Sequence, residues 1–197
     1  METEIYKGYE IEIKQDETIN DTPREWDNLG KMICFHSRYD LGDKHILSVE
    51  DCKYILDRKD VIALPLYLYD HSGISISARP FTCPWDSGQV GIIYTDYESI
   101  KKEFNVKKIG AKLREKVRKI LLSEVEVYDQ YLRGDVYGYV TEFDSLWNIY
   151  GYDEALKMAK ENIDWNIEDQ RKRKQARLKE FIRHKVPLEY RKEVLTK

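Results

Sequence analysis

Residues Leu64–Tyr94 read LPLYLYDHSGISISARPFTCPWDSGQVGIIY, and the fold is organised around them. The stretch opens inside an apolar run, Val61–Tyr69, and closes on another, Gln89–Tyr94; both have the length and β-branched or aromatic content of buried strands. Between them Ile74 and Ile76 alternate with Ser75 and Ser77, the pattern of a hairpin partner folding back after a turn at His71–Gly73. The two connecting loops hold Asp70, His71, Ser72, Cys83, Trp85, Asp86, Ser87 and Gln89, which are most of the chemically versatile side chains of the chain. Loops on a rigid sheet are where binding and catalysis concentrate, so the candidate site lies here.

Working outward, Tyr9–Lys14 alternates as a half-exposed strand, and residues 15–30 form an Asp-, Asn- and Thr-containing loop in which Trp26 is expected to fold back onto the body. Lys31–Tyr39 reads as a strand apolar on both faces, which predicts a central position in the sheet. Ser48 is placed to cap a helix over Val49–Arg58, with Glu50 and Asp51 suiting its positive end. Beyond Tyr94 the period changes. A short helix is expected over Tyr97–Phe104 and a long one over Gly110–Leu132, ended by Gly134. Val136–Phe143 and Ser145–Tyr150 read as a hairpin around Asp144, and a last helix runs from Asp153 towards Lys185 and Pro187. The order predicts an α+β fold: a mostly antiparallel sheet, flanking helices and a long C-terminal helix. The expected division is a core domain over residues 1–152 and a basic helical extension over 153–197.

The chain has 197 residues, 42% hydrophobic and 35% charged, which is the composition of a soluble globular protein. Fifteen tyrosines invite a binding role as well as packing, and Tyr128, Tyr131, Tyr137, Tyr139 and Tyr150 are candidates for an aromatic surface. Residues 171–197 carry 11 Lys and Arg against 3 Asp and Glu, so the net charge of −3 conceals a body at −11 and a tail at +8. An acidic body argues against a general nucleic-acid binder, whereas the tail is able to reach phosphate. Three cysteines without CxxC spacing make neither a disulfide framework nor a zinc ribbon. No leader or membrane span is expected, and the natural setting is a reducing cytoplasm.

Four constellations bear on chemistry. Cys83 with His71 and either Asp70 or Asp86 has the residue types of a cysteine nucleophile, its base and an orienting carboxylate. Pro84 removes the backbone N–H that an oxyanion hole would use there, and packing of Cys83 beneath Trp85 is the preferred account. His36 and His71, with Asp40 or Asp70, fit acid–base cleavage of a phosphodiester without a metal, or ligation of a metal for which no local spacing is present; a hydrogen-bonded histidine that fixes a loop is the preferred account of each. The segment PWDSGQVG, Pro84–Gly91, lacks the Lys-Ser/Thr and the helix of a phosphate loop and reads as a turn; as binding residues it offers Trp85, Asp86, Ser87 and Gln89. Arg171, Lys172, Arg173, Lys174 and Arg177 form the start of a basic helical face suited to RNA, although a solvated face is the preferred account of such a run.

The segments DNLGKMICFHSRYDLGD (Asp27–Asp43), LPLYLYDHSGISIS, CPWDSGQVGIIY and YDQYLRGDVYGY (Tyr128–Tyr139) resemble a family of small proteins carried by phages, plasmids and other bacterial mobile elements. The resemblance covers about residues 5–155 and leaves the C-terminal helix outside. It implies an accessory protein working against host defences, and in size and character the chain is similar to some anti-CRISPR proteins of Firmicute plasmids and prophages. The expectation is therefore an inhibitor that binds a Cas effector or its ribonucleoprotein in the host bacterial cytoplasm, with possible RNA contact through the C-terminal helix and with no metal, cofactor or membrane. The alternative is a hydrolase at the 70–91 loops, either a ribonuclease through His36, Asp70 and His71 or a cysteine hydrolase through Cys83.

Overall fold

A computed structural model describes residues 2–18, 21–187 and 189. In chain order the elements are β1 (Glu2–Tyr6), β2 (Tyr9–Gln15), β3 (Lys31–Cys34), α1 (Val49–Asp57), β4 (Val61–Asp70), β5 (Ile74–Ser77) and β6 (Ser87–Asp96). There follow α2 (Tyr97–Glu103), α3 (Ala111–Arg133), β7 (Val136–Val140), β8 (Ser145–Tyr150) and α4 (Tyr152–Lys185). The fold is α+β, with antiparallel sheets and the long C-terminal helix that the periodicity predicts. Among the described residues the strands form two four-stranded sheets rather than one, ordered β3-β6-β4-β5 and β1-β2-β7-β8.

The first sheet belongs to a compact unit spanning Gln15–Val136. Its strands are apolar on both faces because both faces are covered. On one side Met32, Leu64, Leu66 and Ile93 pack with Leu121, Val125 and Tyr128 of α3. On the other, Ile33, Val61 and Ile92 pack with Cys52 and Ile55 of α1. The same coverage explains a correction: β3 is an edge strand, not a central one, and it ends at Cys34 rather than Tyr39. Beyond Phe35, whose N–H still reaches the Val90 carbonyl at 2.8 Å, the backbone amides of Arg38 and Tyr39 turn back to the His36 ring. Ser48 caps α1 in a reciprocal capping box with Asp51, and Gly134 ends α3 in the left-handed region at φ 66°.

The segment before β3 is tied down by a charged cluster. Arg24, with a side chain only 3% exposed, bonds Asp43 at 2.8 Å and reaches Glu124 at 3.4 Å. Glu124 also accepts from the Leu29 amide at 2.9 Å. Burial pushes the Glu124 carboxyl up, against the opposing pull of the Gly30 amide and Arg24. Trp26, expected to fold inward, keeps 45% of its surface exposed.

The second unit comprises Met1–Lys14 and Tyr137–Lys197. Its β1–β2 hairpin turns through Lys7 and Gly8, both at positive φ (51° and 87°), a two-residue turn of the kind that matches strand twist. Ile11, Ile13, Tyr139 and Ile149 of this sheet pack against Ala155, Ala159 and Ile163 on the first half of α4. The start of α4 is thus core, and the expected boundary at 152/153 falls where packing is continuous. From Arg171 to Phe181 the helix is exposed.

Candidate functional site

The end of β4 and the start of β6 carry the two loops singled out in the sequence. Tyr69 pairs with Ser87 at the end of the ladder, and the Asp70 amide then donates to the Asp86 carbonyl at 2.8 Å. The two versatile loops are therefore held side by side. The register slips between Leu66/Gly91 and Tyr67/Gln89, which leaves Val90 as an extra residue in β6. Bulges of this kind re-aim side chains. Here the bulged end of β6 and the start of the 35–39 turn border an open cleft of about 450 Å³, lined by His36, Arg38, Asp70, Trp85, Asp86 and Gln89, with Ser87 also on its wall.

Asp70 is the hub. Arg38 Nη2 lies against its Oδ2, the Tyr39 hydroxyl donates to Oδ1 at 3.3 Å, and His36 Nε2 stands 4.0 Å from Oδ2. His36 also stacks on Tyr39, with centroids 4.9 Å apart and planes at 13°. Its Nδ1 accepts from the Arg38 and Tyr39 amides, both at 3.3 Å. An imidazole that accepts at Nδ1 carries its proton on Nε2, and here that nitrogen faces Asp70. The Nδ1 lone pair is taken up by the turn, while Nε2 stands beyond hydrogen-bond reach of Asp70, so His36 orders the turn and has no free lone pair to offer a substrate. Arg38, which the sequence reading passed over, brings a guanidinium to the cleft wall; its place directly after His36-Ser37 was the available signal.

A second group surrounds Asp86. His71 Nδ1 stands 3.6 Å from Asp86 Oδ2, and the Cys83 thiol donates to the same oxygen at 3.3 Å. The partner of the thiol is thus a carboxylate rather than an imidazole placed to take its proton. Ser87 Oγ donates to the Cys83 carbonyl at 2.5 Å, which closes the turn expected of PWDSGQVG. Cys83 does not pack beneath Trp85, because Trp85 is 93% exposed. His71 is the more available imidazole: its side chain is 63% exposed. Cys34 is no alternative nucleophile, since burial pushes its thiol up to about 12.

The remaining candidates disperse. Asp40 lines a different cavity, with Tyr128 and Tyr131. Tyr128 and Tyr139 are core residues, 3% and 4% exposed, and the Tyr128 hydroxyl accepts from the Gly42 amide. Tyr137 and Tyr150 are half-buried, so the proposed aromatic surface is largely interior. On α4, Arg171 and Lys172 approach Glu168, and Arg173 bonds Asp169 at 2.7 Å; Lys174 and Arg177 stay exposed. Among the described residues no group of three or more His, Cys, Asp or Glu side chains is placed to hold a metal ion, and no helix is long and apolar enough to cross a membrane. The chain matches no family profile, no curated protein and no solved structure.

Proposed function

We propose that this chain is a binding protein of a mobile genetic element that inhibits a bacterial defence system, docking on a Cas effector or its ribonucleoprotein in the host cytoplasm. The observation that carries the reading is Trp85, 93% exposed on the rim of a cleft whose charged groups already pair with one another. An exposed Trp beside Arg38 is the composition of an interface anchor, and such residues dominate binding energy when a partner covers them. The resemblance of the 27–43 and 64–94 segments to mobile-element proteins supplies the setting, and the basic face of α4 is available to RNA in a ribonucleoprotein.

The test is complex formation between the purified protein and a panel of Cas ribonucleoproteins, read by gel filtration and by the state of guide RNA and target DNA on gels. Trp85→Ala should cost about 2 kcal/mol of binding, roughly thirtyfold in affinity, with the fold intact. The double variant His71→Gln, Cys83→Ser should inhibit normally. No complex with any effector would overturn the reading.

A second reading rests on His71, whose exposed ring sits beside Asp86 as a base and its orienting carboxylate do. It makes the 70–91 loops a hydrolytic site, with His71 taking the proton from an attacking hydroxyl. Cleavage of guide RNA that stops in His71→Gln would favour it.

A further inference from the structure

The acidic body contains a region of opposite sign. Residues 101–119 hold nine Lys or Arg and two Glu, a local charge of +7. Outside this run and the 171–197 tail, 13 Lys and Arg face 31 Asp and Glu, so the rest of the chain stands at −18. The segment comprises the second half of α2, the connection after it and the first turns of α3.

Within it lies an open groove of about 770 Å³ whose floor is apolar, formed by Phe104, Val106 and Leu113. Lys108, Lys112, Lys116 and Lys119 surround it, with Glu115 as the one acid on its wall. None of these four lysines pairs with a carboxylate among the described residues; Lys116 Nζ instead lies 4.8 Å from the centroid of the Phe104 ring. Nor does α3 neutralise its own start. Gly110 caps it with no side-chain bond, and its first turn holds no acid, so the positive end of the helix adds to the lysine field.

We infer that this groove is a docking site for an acidic, amphipathic segment of a partner protein, which places one or more large apolar side chains on the Phe104–Val106–Leu113 floor and sets Asp or Glu against the surrounding lysines. Charge complementarity selects the sign of the partner. The floor selects its kind: a phosphate backbone gains nothing from apolar surface, whereas an apolar side chain flanked by carboxylates is complementary to both features. An open groove suits a side chain on a helix, as in helix-in-groove recognition, better than a lipid chain, which binds where most of its surface is enclosed. The wall is built from lysines, point charges that accept carboxylates in many geometries, while Arg114 and Arg118 of the same helix stay outside it. This surface is separate from the Trp85 cleft, and the inference stands without the inhibitor reading.

The experiment selects, on the immobilised full-length protein, from a display library of random peptides four to five helical turns long. Enriched peptides should combine Asp or Glu with Leu, Phe or Trp, and a labelled synthetic copy should bind in fluorescence anisotropy. The charge-reversal pair Lys112→Glu, Lys116→Glu lies on exposed positions and should weaken that peptide by at least about tenfold. Leu113→Ser should weaken it without altering its salt dependence, and Trp85→Ala should leave it unchanged. Oligouridylate RNA, phosphatidylglycerol vesicles and self-association serve as the competing occupants. Enrichment of basic or neutral peptides, or equal binding by the charge-reversal pair, would overturn the inference. So would loss in that pair of RNA, vesicle or self-binding with no acidic peptide bound.

Discussion

The cleft at His36, Asp70 and Asp86 and the groove at Phe104–Lys119 belong to one compact unit, and they differ in how their charges are used. The cleft has the residue types of catalysis, yet its groups consume one another: Arg38, Tyr39 and His36 converge on Asp70, and His71 and Cys83 converge on Asp86. The groove has residue types with little catalytic repertoire, yet its lysines meet no carboxylate among the described residues. Turns recruit Asp, Ser and His because these side chains satisfy neighbouring backbone, so such residues gather in loops for structural reasons as readily as for chemical ones. Unpaired like charges around apolar surface have no such local use; water and salt screen their repulsion, and a partner of opposite sign relieves it further.

The two regions share β6, whose start borders the cleft and whose end leads into α2 beside the groove, and the largest predicted effect follows from that. A Cβ on Gly91 would stand 1.8 Å from the Ile33 carbonyl oxygen and 3.0 Å from the Cys34 Cα. Neither atom is the end of a flexible side chain, so β3 must move off β6. Gly91→Ala should lower stability by about 3 kcal/mol, read as a shifted urea midpoint, with ligand binding at both regions lost in parallel. An unchanged midpoint would show that the unit does not depend on this close strand contact.

A smaller change should separate them. Asp96 caps α2, its carboxylate accepting from the Ser99 amide at 2.8 Å, and that bond holds the carboxyl below the ordinary Asp value of 3.8. A depressed folded pKa means stability that is present above 3.8 and lost as pH falls through the folded value. Asp96→Ala should therefore cost about 1 kcal/mol at neutral pH, and its difference from the native chain should vanish in acid. Loosening of α2 should reach Phe104 and weaken peptide binding at the groove, while the His36–Tyr39 stack, followed by imidazole proton resonances, should not respond. Equal disturbance of both would contradict the separation.

The legible parts of the fold were those written in local pattern: the capped α1, the long α3 ended by Gly134, and the strands β4, β5 and β6, in which β4 pairs with both others and Asp70 comes beside Asp86. β1 escaped notice because ETEIY is short and its Lys7–Gly8 turn is a weaker signal than Asn-Gly. The edge position of β3 was hidden because covering helices impose the same two-faced apolar pattern as neighbouring strands. At the site, adjacency was readable and availability was not: which His36 nitrogen accepts, and whether Cys83 meets His71 or Asp86, is decided only in three dimensions. The groove went unseen because the acids elsewhere cancel residues 101–119 in any sum over the body.

The basic face of α4 is the intermediate case, and it carries the smallest predicted effect. Arg171, Lys172 and Arg173 have acids one turn behind them, but all are exposed, with side chains 70%, 71% and 71% accessible. Such solvated pairs contribute about 0–1 kcal/mol each, so changing Arg171, Lys172, Arg173 and Lys174 to Gln should scarcely move the urea midpoint. Weak pairing also leaves these cations able to exchange a carboxylate for a phosphate, which separates them from the Arg38–Asp70 pair of the cleft. Free RNA should nonetheless bind the quadruple variant and the native chain alike, because the −18 carried outside the two basic regions repels an isolated polyanion. On a ribonucleoprotein the protein component holds the chain in place and exposed RNA lies within reach, so the variant should lose affinity and show a shallower salt slope by the phosphates it no longer neutralises. Measuring both ligands at two salt concentrations decides the matter: an unchanged slope on the ribonucleoprotein would leave α4 a solvated helix, and a changed slope on free RNA would mean that its charge acts independently of the acidic body.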